Sequence, residues 1–439
     1  MRDILVTLMV FATLPYIFRN PWYGVLVWSW LSYMNPHRMA YGFAYTMPFA
    51  QIVALVLLVS MLVDREKLTV PSNRLVIVWA ALLIWLGICT SVALNPDGAM
   101  DAYIKILKIQ AITAVTILLM KDFQKLNQLL WVIVFSIGFF SVKGGVFTIT
   151  SGGGFHVLGP DGTEIFENNA LAVAVLMIIP LMVYLNKFPP HPWVKKIMPF
   201  CIALSMFSVV GSQSRGAILA IAAVGIFFWW KTKNKVFTAV AFVVFAMLVS
   251  LLMPQSWHDR MGTIGEYQQD SSANQRLNAW RYSFNVASAR LTGGGFNSWS
   301  LENYHRYGVP VNEPFAAHSI YFGVMADAGW PGFVLFMTIL FLVWRQLGRV
   351  INVTEDSPEH ADYNFLARML QISIIAFMAG GAFLSLAWFD LSWHIMAMTI
   401  VLTQLTQGIS EKESSTKRAQ ERPERAGVYR RRRRLPGKS

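Results

Sequence analysis

Charged residues are scarce in this chain. Asp, Glu, Lys and Arg make up 14% of its 439 residues, whereas soluble domains carry roughly 25%. Hydrophobic residues make up 55%, and apolar runs of roughly 17–25 residues recur along the whole length. The low charge therefore excludes an ordinary soluble protein and predicts an integral membrane protein.

Signs of disulfide, metal and nucleotide chemistry are also missing. The two cysteines, Cys89 and Cys201, lie inside apolar runs and are expected to be small hydrophobes. The sequence contains no Asp-x-Asp pair and no His/Glu cluster at metal-ligand spacing. It also lacks a Walker-type nucleotide-binding motif. We therefore expect no cofactor and no metal ion.

The net charge of +13 raises the question of nucleic-acid binding, but its location argues against that. Much of the excess lies in the tail, which includes the run from Arg430 to Arg434. A basic run beside the last apolar segment is typical of a topology signal and of contact with lipid headgroups. The composition therefore predicts membrane lipids as partners and no nucleic acid.

The apolar segments predict an all-α, polytopic fold with about 12 transmembrane helices. The first two segments, 4–18 and 22–34, are short for a bilayer about 30 Å thick and leave the count uncertain by one. Four regions follow from the pattern. They are N-terminal transmembrane helices (1–253), a long polar loop with short helices (254–317), C-terminal transmembrane helices (318–409) and a basic tail (410–439).

Basic residues gather in alternate loops and mark one face as cytoplasmic, together with the C-terminal tail. These clusters lie at 64–74, 121–125, 187–196, 231–235 and 345–349. The opposite face holds the glycine-rich loop 151–168 and the long loop 254–317, and it is predicted to be external or periplasmic. A polar loop of this size is expected to carry the chemistry or to hold the partner.

The long loop contains one helical stretch and ends in a histidine. Arg276 opens the stretch, whose apolar residues recur at helical spacing: Leu277, Trp280, Phe284 and Ala287. The glycine triplet 293–295 then allows a tight turn back. An uncharged histidine at His318 can accept a proton from a hydroxyl; the alternative is an interfacial residue that only begins a helix.

Basic side chains on the same face suit a diphosphate, since a guanidinium binds phosphate oxygens in pairs. Arg276 and Arg281 are candidates in the loop. Arg215 lies in the glycine- and serine-rich turn 211–216, where open backbone N–H groups also suit an anion; a simple helix-end cation is the alternative. Lys105 and Lys108 share one helix face, and either bind the same anion or extend to lipid headgroups.

Three motifs follow one another on this face. They are Ser214-Arg215-Gly216-Ala217, then Arg276-Leu277 with Trp280 and Gly-Gly-Gly-Phe at 293–296, then His318 leading into Gly-Trp-Pro-Gly at 329–332. With Leu-Ser-Tyr-Met-Asn-Pro-His-Arg at 31–38, they make most of the chain resemble the O-antigen ligase and polymerase superfamily. Within it, the O-antigen ligases and the O-glycosylation ligases are most similar. The family often has Asn after the loop histidine, where this chain has Ser319.

The resemblance implies a glycosyltransferase of the multi-span GT-C type in a bacterial inner membrane. Such an enzyme transfers a glycan from undecaprenyl diphosphate to a sugar hydroxyl of lipid A–core on the periplasmic face, without a metal and with inversion. His318 would act as the base. The diphosphate would be bound by Arg215, Arg276, Arg281, Lys105 and Lys108.

Other functions stay open at this point. An O-antigen polymerase or a ligase that attaches glycans to proteins would share every motif. A transporter of lipid-linked sugars is disfavoured, because the interior spans are almost free of charge.

Overall fold

The computed structural model describes residues 1–63, 68–232, 234–262 and 271–407. Within these ranges the chain forms helices and no strands, in agreement with the predicted all-α class. The predicted basic tail at 410–439, and part of the basic cluster at 64–74, lie outside the described residues.

Ten helices precede the long loop in the described ranges: α1 (Arg2–Arg19), α2 (Trp22–Met34), α3 (Phe49–Val63), α4 (Arg74–Ser91), α5 (Pro96–Leu119), α6 (Phe123–Thr150), α7 (Asn168–Lys187), α8 (Pro192–Gly211), α9 (Arg215–Lys231) and α10 (Lys235–Leu252). The long loop contains α11 (Gln255–Gly262), α12 (Ser271–Ala289) and α13 (Leu301–Arg306). After it come α14 (Ile320–Val353), α15 (Ala361–Gly381) and α16 (390–407).

Eight helices of the described part are long and apolar enough to cross a membrane. They are α4, α5, α6, α7, α8, α10, α14 and the helix Pro358–Gly381, which includes α15. The apolar helices α3 and α9 are shorter. The chain is thus a multi-pass membrane protein, and the count of about 12 spans stays a prediction.

Polar caps fix where several helices begin. Asn73 accepts a hydrogen bond from the Leu75 N–H at the start of α4, and Asp122 accepts one from the Lys125 N–H at the start of α6. Ser214 and Ser319 do the same for α9 and α14. Each cap satisfies an N–H group that the helix itself leaves open. Two of these caps border residues predicted to be functional.

Helix α7 forms the centre of the bundle. Its apolar side chains are buried almost all round, and it packs against α6, α8, α9 and α15. The Ser373 hydroxyl of α15 donates to the carbonyl of Met177 over 2.7 Å. Helix α10 instead exposes apolar side chains such as Phe237 and Leu251, as expected of a helix that faces lipid.

Helices α6 and α8 approach closely at a small residue. A Cβ atom at Gly145 would lie 1.9 Å from the carbonyl oxygen of Leu204, so only glycine fits. The hydroxyls of Ser141 and Ser205 lie 2.7 Å apart at the same contact. Small residues and interhelical hydrogen bonds commonly hold membrane helices together.

Two other connections of the bundle contact the long loop and lie on the same face. We name this face the loop face and define it by residues 254–319. The Leu94 N–H donates to the Gly294 carbonyl over 2.8 Å, which joins the α4–α5 turn to the loop. The Trp257 indole N–H donates to the carbonyl of Val210 at the end of α8 over 3.4 Å. The sequence prediction that these connections share one face agrees with these contacts.

The loop has a small apolar core of its own. Tyr282 stacks on Tyr304 with ring centroids 4.5 Å apart, and Val286 and Ala279 are buried beside them. Ala326 of α14 completes this cluster. The described part of the loop from α12 onward is therefore a packed layer that rests on the first turns of α14.

Helix α12 differs from its prediction in two ways. It begins at Ser271 rather than at Arg276, because the polar residues in between also suit a helix. Leu277 and Phe284 are exposed, whereas Tyr282 is fully buried. The buried side is thus set by packing on α14 and Tyr304 rather than by the apolar stripe alone.

Helix α14 is broken at Gly329, where φ is 63° and ψ is −170°. Only glycine adopts this backbone region readily. A Cβ atom at Gly329 would also lie 2.1 Å from the carbonyl oxygen of Leu291. This close approach seats the turn 290–297 on α14, and Gly293 and Gly295 have positive φ within that turn, as the glycine triplet predicts.

We expect Gly329→Ala to destabilise the protein and to lower its melting temperature by several degrees. The backbone region alone costs about 1–3 kcal/mol for a residue with a side chain, and the clash with Leu291 adds to that. Gly323→Ala is the matched control, because a Cβ there meets no atom within 4 Å. The measurement is thermal unfolding of the detergent-purified proteins. Equal melting of Gly329→Ala and the wild type would contradict the account.

Candidate functional site

His318 stands between the long loop and α14 in a left-handed backbone conformation with φ of 43°. The next residue, Ser319, is the N-cap of α14, and its hydroxyl accepts from the Tyr321 N–H over 3.3 Å. The preceding carbonyl, of Ala317, accepts a hydrogen bond from the Trp280 indole over 2.8 Å. His318 is therefore held on both sides.

Trp280 connects the helix of the long loop to this segment. Its ring stacks on Phe322 with centroids 4.8 Å apart. On the other side of the loop, the Tyr304 hydroxyl donates to the Phe315 carbonyl over 2.6 Å. These contacts fix the approach of the chain to His318, so the loop core acts as its support.

Burial and the nearby charge of Arg276 favour the neutral imidazole of His318. Desolvation by the surrounding protein lowers the pKa of His318 from its usual 6.5, the Arg276 cation lowers it further, and Glu167 acts in the opposite direction. The residue still has exposed surface. A neutral imidazole that substrate can reach is the form that accepts a proton.

Glu167 belongs to the loop between α6 and α7. The next residue, Asn168, forms a hydrogen bond to the turn before α9. The Asn168 side-chain amide donates to the carbonyl of Ser212 over 2.7 Å. Gln213, with φ of 54°, donates from its side chain to the carbonyl of Gly153 over 2.8 Å. These two hydrogen bonds thus fix the turn 211–214 to the loop 151–168.

Arg215 is the first residue of α9, after the capping residue Ser214, and it is half-buried. A cation at a helix N-terminus is unfavourable to the helix dipole, which prefers cations at the other end. Helix stabilisation therefore does not account for this arginine. A helix N-terminus combined with a guanidinium is instead suited to an anion.

The structure brings some of the predicted site residues together and separates others. Arg276 and His318 interact electrostatically, and the turn that carries Arg215 is held by Asn168, next to Glu167. Arg281 is exposed and lies five residues after Arg276, roughly 140° round the helix.

Lys105 and Lys108 line a different pocket, which Arg215, Arg276 and His318 do not line. Lys105 forms an ion pair with Glu164 there. The shared binding of one anion by the two lysines and the arginines stays a prediction.

Glu167 was missed by reasoning from the sequence. Its only local signal is an acidic residue followed by two asparagines at the start of an apolar run. The described residues contain no group of three His, Cys, Asp or Glu side chains that could hold a metal ion.

The described helices place the chain in the class of multi-pass membrane proteins, with His318 and Arg276 close enough to interact on the loop face. The comparison with known families agrees with this class. Residues 199–337, which contain Arg215, Arg276 and His318, match the family described as O-antigen ligase. For this segment, the match confirms the resemblance to the O-antigen ligase superfamily that the sequence shows.

Residues 1–189 match a second family, DUF5935, described as a family of unknown function. No curated protein matches the chain. The O-antigen ligase family consists of glycosyltransferase-like membrane enzymes. The chain therefore carries the segment of a ligase- or polymerase-type enzyme behind an N-terminal part of unassigned role.

Proposed function

We propose that this protein is an O-antigen ligase of the GT-C type. It transfers a glycan from undecaprenyl diphosphate to a sugar hydroxyl of lipid A–core, without a metal and with inversion at the transferred carbon. The observation that carries the proposal is the exposed His318, which is held at the start of α14 and is acted on by the charge of Arg276, within the segment that matches the O-antigen ligase family.

In this proposal His318 is the general base. It removes the proton from the acceptor hydroxyl while the oxygen bonds to the anomeric carbon of the glycan. The bond between that carbon and the phosphate oxygen breaks, and undecaprenyl diphosphate leaves with the electron pair. A positioned base contributes roughly 10²–10⁴-fold to such a step.

Arg215 and Arg276 bind the diphosphate and stabilise the charge that builds on it as it leaves. Arg215 acts at the N-terminus of α9, where the helix dipole favours an anion. Glu167 favours the protonated form of His318 and partly offsets the effects of desolvation and Arg276. The proposal assigns no role to Arg281, which points to another side of α12.

The location of the protein also belongs to the proposal. The loop face is periplasmic and the opposite face, with the C-terminus, is cytoplasmic, in an inner membrane. Support comes from the basic residues on the opposite face, such as Lys121 at the start of α6 and Arg349 near the end of α14.

The acid side of the pH profile tests the role of His318. Because desolvation and Arg276 lower the pKa of His318, we expect transfer to persist at lower pH than an ordinary histidine would allow. Arg276→Gln removes a cation and should move the acid limb of kcat/KM to higher pH. Glu167→Gln removes an anion that favours the imidazolium and should move the limb to lower pH. A limb that stays in place in both variants would show that His318 does not control it.

A polymerase that joins repeat units on the same carrier is the nearest alternative, since both activities use one donor chemistry. Deletion of the gene, followed by electrophoresis of the lipopolysaccharide, separates the two. Loss of all long-chain material indicates a ligase, whereas core with a single repeat indicates a polymerase. A ligase that acts on proteins would leave the lipopolysaccharide unchanged.

A further inference from the structure

A polar pocket that His318 does not line contains the two lysines that the proposed mechanism leaves unused. It has a volume of about 290 Å³ and is formed by α2, α5, the loop segment 162–165 and the start of α16. Most of its wall belongs to residues 1–189, the part that matches the family of unknown function. The pocket therefore offers a role for that part of the chain.

The positive and negative charges that line the pocket are equal in number. Lys105 and Lys108 stand against Glu164 and Asp390, so two cations meet two carboxylates. Lys105 is paired with Glu164. His37 also lines the pocket, and desolvation together with Arg38 lowers the pKa of His37 and keeps it neutral. A lining without excess positive charge does not select a diphosphate.

Donors, acceptors and aromatic faces stand side by side in this pocket. Asp390 accepts a hydrogen bond from Ser32 and has further acceptor capacity, while Lys108 supplies donors. Trp28 and Phe389 add aromatic surface. A sugar ring presents the matching chemistry, with hydroxyls at its rim and C–H groups on its faces. The volume is near the lower end of ligand pockets, roughly 300–1,000 Å³, which suits a short saccharide.

A buried polar network lies behind the pocket and ties α2 to α16. The Tyr33 hydroxyl is 2.7 Å from His394 Nδ1, and the Ser29 hydroxyl is 3.4 Å from His394 Nε2. His394 Nδ1 also lies 3.1 Å from the carbonyl oxygen of Asp390. Polar side chains inside a membrane protein are costly and usually mark a functional site. Here they hold Asp390 and Tyr33 in place at the pocket wall.

One loop joins this pocket to the proposed transfer site. Glu164 lines the pocket, and Glu167, three residues further, acts on His318. A substrate that occupied both the pocket and the surroundings of His318 would lie along the segment 164–167, with one end of the segment at each site. The hydrogen bond from the Gly159 N–H to the Phe166 carbonyl, at 2.9 Å, closes this segment on itself.

We propose that the pocket around Asp390 and Lys108 binds a sugar unit of one of the two glycan substrates and orients that glycan for transfer at His318. The proposal rests on the proposed function for the orienting role. The binding itself is a separate property, because it concerns a saccharide without any diphosphate. Either the donor glycan or the acceptor core supplies the sugar, since both present the same chemistry.

Binding of free saccharides to the purified full-length protein tests this. The probes are the oligosaccharide released from the lipid donor by mild acid, and the core oligosaccharide freed of lipid A. We expect one of them to bind, and Asp390→Asn and Lys108→Gln to weaken its binding by roughly tenfold or more, as for loss of a charged hydrogen bond. Lys195→Gln, exposed at the start of α8, is the control and should bind as the wild type does.

Several outcomes would overturn the proposal. They are no binding of either saccharide, unchanged binding in both pocket variants, and competition by inorganic pyrophosphate that is lost in Lys108→Gln. Lys108 is exposed, so its variant is expected to fold even if Asp390→Asn does not. His318→Ala should bind the saccharide normally. If His318→Ala also keeps full transfer, the proposed function fails while the saccharide site stands.

Discussion

His318→Ala should lower the rate of glycan transfer by roughly 10²–10⁴-fold while the protein still binds its lipid diphosphate donor. A sugar hydroxyl is a poor nucleophile, and the base that activates it acts on the chemical step rather than on donor binding. The expected result is a fall in kcat with little change in donor affinity. Transfer and donor binding are measured separately, with purified protein in detergent.

His318→Asn makes this test independent of backbone strain. His318 has a positive φ, which asparagine tolerates better than most residues do. A histidine that only begins α14 would be replaced by asparagine with little loss, because the backbone would remain in place. Near-normal transfer in His318→Asn would therefore contradict the role of a base. Equal loss of donor binding and transfer in His318→Ala would instead make the residue a diphosphate ligand.

Arg215→Lys should fail to restore activity even though it keeps the charge. Lysine loses the paired donors with which a guanidinium binds phosphate oxygens. Loss of such a charge-assisted contact costs about 1.5–3 kcal/mol, or roughly 10- to 150-fold. We expect this loss in donor affinity for Arg215→Lys, and a similar loss for Arg276→Ala. Titration with the lipid diphosphate donor measures both.

A matched control distinguishes a specific contact from general charge on the loop face. Arg306 is an exposed arginine of α13 in the same long loop, and Arg306→Ala should bind the donor as the wild type does. If Arg215→Lys and Arg215→Ala were both fully active, Arg215 would be only a cation at a helix end. If Arg306→Ala lost as much affinity as Arg276→Ala, the effect would be one of net charge.

The helical architecture was predictable from the sequence because its signals are local. Each apolar run specifies its own helix, and caps such as Asn73 and Ser214 lie next to the helices that they begin. The glycine triplet at 293–295 also predicted a turn. The number of membrane spans was less certain, because short apolar helices such as α3 meet the composition of a span without its length.

The candidate site was predictable only in part, for a physical reason. Arg276 and His318 stood out because each belongs to a motif that the sequence shares with the O-antigen ligase superfamily. Glu167 and Glu164, the partner of Lys105, did not stand out, because their roles arise from contacts between distant parts of the chain. Glu164 is 59 residues from Lys105, and His394 is 361 residues from Tyr33. No local sequence pattern predicts such pairs.

Transfer by the purified protein in liposomes is the most direct test of the proposed function. The reaction contains undecaprenyl-diphosphate-linked glycan and lipid A–core, and mass spectrometry identifies the products. The account predicts lipid A–core that carries the glycan, release of undecaprenyl diphosphate, and roughly 10²–10⁴-fold slower formation of product with His318→Asn. Longer lipid-linked glycan with unchanged lipid A–core, or equal product from His318→Asn, would contradict it.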